Sequence, residues 1–326
     1  MFQYNEDLDG SLTGDNPFNG YEMLMDACKT LEPIKVAVVH PCDDASLTSA
    51  IDAAKAGLII PLLVGPVARI RAVAAHEGID LRPYRIIDVE HSHAAAAKSV
   101  ELVRSGEAEA LMKGSLHTDE LLAEVVNKVT GLRTNRRISH CFIMDVPTYP
   151  KPLIVTDGAV NIAPDLRAKA DICQNAIDLA HVLRIKTPRV AILSAVETVT
   201  PEIPSTIEAA ALCKMADRGQ ITGALLDGPL ALDNAISMEA AKTKKIVSLV
   251  AGQADILLVP DLEAGNILAK QLTFLARAEA AGIVLGARVP IILTSRADTV
   301  RARMASCAVA VLLVHDRRTK LTAPAV

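Results

Sequence analysis

Short apolar runs alternate with helical patterns along most of this chain, and this alternation restricts its fold more than any other feature. The first four apolar runs are residues 34–40, 58–65, 84–89 and 109–114. Each is followed by a helical pattern, at 46–56, 67–77, 92–104 and 117–129. Continuous apolar strands are buried on both faces, and the helices that connect them cover those faces. We therefore expect an α/β protein in three αβα layers, with a parallel sheet in the middle.

The alternation breaks at 130–142 and then resumes, which predicts two domains. Further strands are expected at 141–146, 152–160, 189–196, 221–228, 256–262, 282–286 and 289–295, and further helices at 165–183, 204–217, 234–244 and 265–280. A chain of 326 residues is long enough for two cores. If the last helix, from Thr299 to about Val314, packs on the first domain, that domain is discontinuous. We predict a first domain of 1–136 plus 290–326, and a second, dimerising domain of 137–289.

Composition excludes several classes of partner. The net charge is −4 and the pI is near 6.1, so no global basic field is present to hold nucleic acid. The six cysteines are scattered without a CxxC pair, as in reduced cytosolic proteins. No apolar run approaches the roughly 20 residues of a membrane helix. We expect a cytoplasmic protein without nucleic-acid or membrane partners, and a loose acidic arm over residues 1–17.

Polar residues end six of the predicted strands. They are Lys113-Gly114-Ser115, Asp157 leading to Asn161, Ser194, Asp227, Asp261 leading to Asn266, and Ser295-Arg296. Ligands of open α/β sheets bind outside the carboxyl ends of the strands. Asn161, Asp227 and Asp261 are also suited to capping helices or turns, so both interpretations remain open. A lysine that directly ends an apolar strand must reach either solvent or an anion.

The pair Ser295-Arg296 gives the sharpest indication of an anion site. The arginine guanidinium presents a fork of donors that matches phosphate or carboxylate. The serine can donate to the same anion, and the following helix adds free amides at its N-terminus. The alternative is a solvated arginine paired with Asp298.

Other common sites are absent from the sequence. There is no GxxxxGK[ST] loop, no GxGxxG after a strand and no GxSxG elbow. His91 and His93 open a helix without further ligands at metal spacing, so we expect no metal site. The residues alone therefore predict an α/β protein with an anion site between two domains.

Seven segments in order resemble the phosphate acetyltransferase and phosphate butyryltransferase family, from about residue 34 to the C-terminus. They are LMKGSLHTDELL (111–122), GLRTNRRISHCFIMDVP (131–147), TDGAVNIAPD (156–165), AILSAVETVTPEIPSTIEAA (191–210), ADRGQITGALLDGPLALDNAIS (216–237), ADILLVPDLEAGNILAKQL (254–272) and AGIVLGARVPIILTSRAD (281–298). The chain looks most similar to the branch in which this module also follows an enoyl-CoA hydratase-like domain.

The resemblance implies a fold similar to isocitrate and isopropylmalate dehydrogenases, a homodimer, and an active site in the cleft between domains. It also implies reversible acyl transfer between phosphate and coenzyme A, with coenzyme A as a substrate and no cofactor or metal. Ser295 and Arg296 would act at the reacting centre, with Arg296 on the phosphoryl group. Further substrate-binding residues would be Lys113, Gly114, Ser115, His117, Arg133, Asn161, Asp261 and Asn266.

Two departures from the family pattern concern the base and one arginine. Archaeal-type members have an aspartate seven residues after the serine, where this chain has Ala302. Asp298 is the nearest substitute as a catalytic carboxylate. The family's arginine after the fourth strand is missing from TDELLAEV, and Lys113 or the cluster Arg133, Arg136 and Arg137 would replace it.

Three alternatives remain beside acetyl transfer. The first is butyryl transfer, because acetyl and butyryl groups differ by only two methylenes. The second is an NAD-dependent, metal-requiring dehydrogenase of similar fold, for which Asp157, Asp227 and Asp261 would have to supply ligands. The third is a catalytically silent homologue.

Overall fold

The computed structural model describes residues 20–294 and 298–322. The described residues form two compact units. The discontinuous unit contains the described residues of Tyr21–Ile138 and Ala281–Val326, and the central unit contains Ser139–Ala280 with Gly20. The sequence predicted two domains, 1–136 plus 290–326 and 137–289. That these ranges are separately folding domains stays a prediction.

Strands and helices alternate along the described chain. The strands are β1 (Ile34–Val39), β2 (Ile59–Gly65), β3 (Arg85–Asp88), β4 (Ala110–Lys113), β5 (Ser139–Asp145), β6 (Leu153–Thr156), β7 (Arg189–Leu193), β8 (Leu225–Leu230), β9 (Ile256–Leu258), β10 (Glu279–Leu285) and β11 (Ile291–Ile292). The helices are α1 (Gly20–Cys28), α2 (Asp44–Lys55), α3 (Val67–His76), α4 (Ser92–Arg104), α5 (Thr118–Val125), α6 (Leu166–Val182), α7 (Pro204–Asp217), α8 (Leu232–Ile236), α9 (Met238–Thr243), α10 (Leu262–Phe274) and α11 (Val300–Thr322).

The strands of the discontinuous unit follow the order β3-β2-β1-β4-β11-β10. β1 is parallel to both β2 and β4, and β11 is parallel to β4. All but one residue of β1 is buried, as expected for a strand covered on both faces. The chain moves outward from β1 to β2 and β3, and then returns to β4 on the other side. The carboxyl ends of β1 and β4 therefore form a topological switch point, where ligands of such sheets bind.

The central unit has the strand order β5-β6-β9-β7-β8. β6, β9, β7 and β8 run parallel, and all three residues of β9 are buried. Side chains of Met144, Val155, Ala191 and Leu257 belong to one hydrophobic cluster. Its small and branched residues fill the core almost without aromatic rings.

Several sequence predictions about elements were wrong. Strand directions are mixed rather than all parallel, because β5 and β6 pair antiparallel in the central unit, and β10 and β11 also pair antiparallel. Only residues 286–290 join β10 to β11, which is too short for a crossover helix. The helix expected over 265–280 ends at Phe274, since residues from Glu279 form β10.

The helix expected over 234–244 is instead two short helices, and the one expected over 117–129 ends at Val125. Ser237 separates the two short helices, and its hydroxyl accepts a hydrogen bond from the backbone N–H of Ala240, which caps α9. The predicted strand at 289–295 is described as a strand only over Ile291–Ile292. Among the helices of the described ranges, none combines the length and apolar character that crossing a bilayer requires.

Candidate active site

The turn after β4 is held tightly against the end of β1. The Gly114 N–H donates to the carbonyl oxygen of Val39 at 2.9 Å, and the Ser115 N–H donates to that of His40 at 2.8 Å. A Cβ atom on Gly114 would lie 2.4 Å from the Val39 oxygen. Glycine is therefore required at 114, and the sequence KGS places Lys113 and Ser115 at the switch point.

Lys113 is the cation of this turn. It is half-buried, and its Nζ donates to the Gly114 carbonyl oxygen at 3.3 Å. Ile291 and Ile292 of β11 lie opposite Leu111 and Met112 of β4 in parallel register. Both strands thus end at the same edge of the sheet, beside Lys113.

The segment after β11 carries the catalytic residues predicted from sequence. Ser295 and Arg296 lie outside the described residues. Asp298 is half-buried just before α11. Ala302 lies in the first turn of α11, is 7% exposed, and donates its N–H to Thr299 Oγ1 at 3.1 Å. The position of the family's expected carboxylate is therefore a packed methyl group here.

His117 lies at the N-cap position of α5 and is exposed. Its backbone N–H donates to Glu120 Oε1 at 3.4 Å, and the Ser92 hydroxyl donates to Glu120 Oε2 at 2.6 Å. The Ser92 bond, and then the His117 N–H, lower the pKa of Glu120. The backbone of His117 thus starts the helix, while its imidazole is at the surface.

Arg133 is exposed on a segment that pairs with the β10–β11 connection. It forms an isolated antiparallel bridge with Ala287, and the Arg288 N–H donates to the Leu132 carbonyl at 2.8 Å. The Thr134 hydroxyl donates to the Gly286 carbonyl at 2.6 Å. These bonds fix the backbone that carries three arginines, Arg133, Arg136 and Arg137.

In the central unit, Asp157 organises the loop after β6. Its Oδ1 accepts from the N–H groups of Ala159 and Val160 at 2.9 and 3.0 Å. Its Oδ2 accepts from the Asn161 N–H at 3.1 Å and the Asn161 side-chain amide at 2.6 Å. Both residues are 3% exposed. Asn161, which we predicted to bind substrate, is thus also part of the framework of this loop.

Asp261 and Asn266 connect α10 to the same loop. Asp261 caps α10 by accepting from the Ala264 N–H at 2.9 Å, and Asn266 Nδ2 donates to the Gly158 carbonyl at 3.2 Å. A Cβ on Gly265 would lie 2.8 Å from the backbone carbonyl oxygen of Asp157, so only glycine allows α10 to approach the loop this closely. The observed hydrogen bond of Asp261 is that of a helix cap. A contact between Asp261 and substrate stays a prediction.

Sequence reasoning missed His40, which directly follows β1. The residue is 4% exposed, its φ is +56°, and its Nδ1 lies 2.7 Å from the Ser115 carbonyl oxygen. The signal was available, because VVHPCDD ends an apolar strand in a polar residue in the same way as LMKGS. Its proximity to Ser115 depends on the pairing of β1 with β4, which the sequence does not show.

Among the described residues, one group of side chains is spaced like metal ligands. His76 Nδ1 lies 2.8 Å from Glu77 Oε1 and 4.0 Å from Asp44 Oδ1. All three residues are exposed, and exposed acidic groups are common without a metal. This group therefore carries no further argument.

The described residues place Lys113, Ser115 and His40 at the carboxyl ends of two neighbouring parallel strands, which is where proteins of the α/β class bind ligands. The family model for phosphate acetyl/butaryl transferase matches residues 93–311. The chain is 64% identical to a phosphate acetyltransferase of Rhizobium meliloti, over 91% of this chain and 94% of that protein. It is 42% identical to a phosphate butyryltransferase of Clostridium acetobutylicum, over 89% of this chain and 96% of that protein.

Solved structures show the same fold. A branched-chain phosphotransacylase from Enterococcus faecalis superimposes with a TM-score of 0.75 at 30% identity, covering 86% of this chain and 99% of that one. A 4-hydroxythreonine-4-phosphate dehydrogenase from Klebsiella pneumoniae gives 0.51 at 14% identity, with 87% and 99% covered, and shares the fold alone. The dehydrogenase-like α/β fold expected from the sequence is confirmed.

The chain belongs to the phosphate acetyltransferase and butyryltransferase family. It is accordingly an acyltransferase.

Proposed function

We propose that this chain is a phosphate acetyltransferase, which moves an acetyl group reversibly between coenzyme A and inorganic phosphate. The observation that carries the proposal is the 64% identity to a phosphate acetyltransferase over nearly the whole of both chains. The Lys113–Ser115 turn at the switch point supports it, because it places a cation and a hydroxyl where an anionic substrate would bind.

The reaction has three electrostatic requirements. In the direction of acetyl-CoA formation, the C–S bond forms, the C–O bond to phosphate breaks, and the thiol proton passes to the phosphate. The departing phosphate must be neutralised, the carbonyl oxygen polarised, and the thiol deprotonated. We assign the phosphate to Arg296 with Lys113, and hydrogen bonding of the reacting groups to Ser295 and Ser115.

We assign the transfer to direct attack by the coenzyme A thiolate in a ternary complex, without a covalent enzyme intermediate. Burial raises the pKa of Cys42, at the end of β1, to about 11, and that of Cys141 to about 12. Such thiols stay protonated at neutral pH and are poor nucleophiles. In this proposal coenzyme A is a substrate, and no further cofactor takes part.

Acetyl is preferred over butyryl in this proposal, with phosphate butyryltransferase as the alternative. The relative named for butyryl transfer is 42% identical, against 64% for the one named for acetyl transfer. Burying two extra methylenes is worth only about 1.6 kcal/mol, so a few side chains can reverse the preference. The metal-requiring NAD-dependent dehydrogenase remains the more distant alternative.

The working form that we propose is a cytoplasmic homodimer. All six cysteines are free and five of them are buried, which fits a reducing compartment. The central unit also exposes large apolar side chains, including Val199, Met238, Val247 and Leu249, as expected of a subunit interface.

The test is the steady-state rate of acyl-CoA formation by the wild-type chain from coenzyme A with acetyl phosphate, and in parallel with butyryl phosphate. We expect turnover with both and a higher kcat/KM with acetyl phosphate. A higher value with butyryl phosphate would favour the butyryltransferase alternative. No turnover with either substrate would contradict the proposal, and NAD reduction with added divalent metal would then be measured.

A further inference from the structure

We propose that His40 positions a substrate for acyl transfer. Through Nδ1 it fixes the turn that carries Lys113 and Ser115, and through Nε2 it accepts a hydrogen bond from a bound substrate. This inference rests on the proposed function and deepens it, because it assigns a role at the same site to a further residue.

The backbone of His40 joins three parts of the switch point. Its N–H donates to the Val64 carbonyl of β2 at 2.7 Å. Its carbonyl oxygen accepts from the N–H groups of Ser115 and Cys42, both at 2.8 Å. These bonds hold it in the left-handed region, at φ +56°, where non-glycine residues are uncommon. The position of His40 is therefore strongly determined by its neighbours.

The ring of His40 also contacts Ser115. Its Nδ1 lies 2.7 Å from the Ser115 carbonyl oxygen, which can only accept a hydrogen bond. Nδ1 therefore carries the hydrogen, and in the neutral ring Nε2 presents a lone pair. Backbone and ring together bond to both polar backbone groups of Ser115, so His40 sets the geometry of the turn beside Lys113.

The second ring nitrogen is the observation that suggests a ligand. Nε2 is buried and has no hydrogen-bond partner among the residues that the structure describes. A buried acceptor without a partner is costly and rare. An asparagine would tolerate the same backbone and supply the same N–H donor to Ser115, but it has no lone pair at the position of Nε2. A histidine at this position thus indicates a use for Nε2.

The substrates of the proposed reaction offer two matching donors. One is the S–H group of coenzyme A and the other is a P–OH group of phosphate, and both are weakly acidic hydrogens. The thiol proton leaves sulfur as the C–S bond forms and passes finally to the phosphate as the C–O bond breaks. A lone pair at Nε2 would orient that hydrogen, and the histidine would return to its starting state after each turnover.

The first experiment compares His40→Asn with His91→Asn and the wild type. Asparagine at 40 retains a side-chain N–H donor for Ser115 but has no nitrogen at the Nε2 position. We expect a retained cooperative melting transition and a kcat lowered about 100-fold, as for loss of a proton-handling group. His91 is an exposed cap of α4, where asparagine is a good substitute, so kcat should not change in this control.

A second variant and a binding measurement complete the test. His40→Gln, whose side-chain oxygen can reach towards the Nε2 position, should recover part of the kcat lost in His40→Asn. Calorimetry with coenzyme A, desulfo-coenzyme A and phosphate then identifies the donor. Weaker binding of coenzyme A but not of the desulfo compound would assign the thiol, and weaker binding of phosphate would assign the P–OH group.

Three outcomes would overturn the inference. A His40→Asn enzyme with wild-type kcat would show that Nε2 has no role in turnover. Loss of the melting transition in both His40 variants would assign the residue to folding alone. If the wild-type chain turns over, either of these results leaves the proposed function intact. A wild-type chain without turnover would overturn both the inference about His40 and the proposed function.

Discussion

The loop after β6 and the turn after β4 both follow buried strands and both contain polar residues, but they use them differently. In the loop, Asp157 accepts four hydrogen bonds from its own neighbours, so its carboxylate is fully engaged in structure. At the turn after β4, Lys113 brings an ammonium group to the sheet edge, and His40, which follows β1 and contacts the turn, has a buried ring nitrogen without a partner among the described residues. The comparison shows that a buried polar residue indicates chemistry only when its bonding capacity is not already used.

The largest effect that we expect on stability is that of Asp157→Ala. The change removes the acceptor of three backbone N–H groups and one side-chain amide in a buried loop. Donors left unsatisfied cost about 1–3 kcal/mol each, so we expect the free energy of unfolding to fall by at least about 4 kcal/mol. Urea denaturation followed by circular dichroism measures this value.

Asp261→Ala is the matched control, because the Asp261 carboxylate caps α10 by accepting a hydrogen bond from one backbone N–H, that of Ala264. Loss of such a cap costs about 1 kcal/mol. Equal decreases in the free energy of unfolding for Asp157→Ala and Asp261→Ala would mean that the loop after β6 does not depend on Asp157 as described.

Lys113→Met tests the second region of this comparison, the turn after β4. Removing a charge-assisted bond to a bound anion costs about 1.5–3 kcal/mol, so we expect kcat/KM for acetyl phosphate to fall roughly 10- to 100-fold. The aliphatic part of the side chain is retained, and the free energy of unfolding should change by less than about 1 kcal/mol. Steady-state kinetics and urea denaturation on the same preparation provide both numbers.

The control for this prediction is Lys55→Met, at the exposed end of α2. It makes the same chemical change away from the turn and should leave kcat/KM unchanged. A loss of stability in Lys113→Met as large as that in Asp157→Ala would remove the distinction between the two regions.

The sequence predicted strand and helix order better than strand direction. Apolar runs such as IKVAVV identify buried strands, but they do not encode whether the neighbouring strand is parallel. The antiparallel pairing of β10 with β11 follows from a connection of five residues, which only becomes visible once the strand ends are known.

For the site, the sequence predicted Lys113-Gly114-Ser115 and Arg296 as candidates by residue type at strand ends. The first three lie at the switch point, and Arg296 lies outside the described residues. The sequence could not separate Asp261 as a cap from Asp261 as a ligand, because both need a carboxylate before a helix. It also missed His40, whose role depends on the neighbouring strand β4 some seventy residues away. Local sequence pattern therefore predicts candidate site residues. The hydrogen bonds of the structure then show which of these side chains are already bonded within the fold.

The smallest effect that we expect is at an exposed carboxylate. Hydrogen bonds from the Arg82 side chain and backbone lower the pKa of Asp80 from 3.8 to about 2. A depressed carboxyl pKa stabilises the folded state above the unfolded value, and this contribution disappears as the pH falls from 3.8 towards about 2. Salt and solvent screen such a surface pair, so the effect on stability is small.

An NMR titration of the Asp80 carboxyl carbon checks this shift, with Arg82→Gln as the comparison. The variant should return the pKa of Asp80 towards 3.8, because the guanidinium bonds are lost. An unchanged titration curve in the variant would contradict the assigned cause.

The most direct test of the account is the rate of acetyl-CoA formation by Arg296→Ala, measured beside the wild type and Arg71→Ala. Arg71 is an exposed arginine of α3 and controls for loss of a positive charge. We expect kcat to fall about 100- to 1,000-fold in Arg296→Ala, as for loss of a transition-state donor, and to stay unchanged in Arg71→Ala. Wild-type kcat in Arg296→Ala would contradict the claim that the segment after β11 performs the transfer.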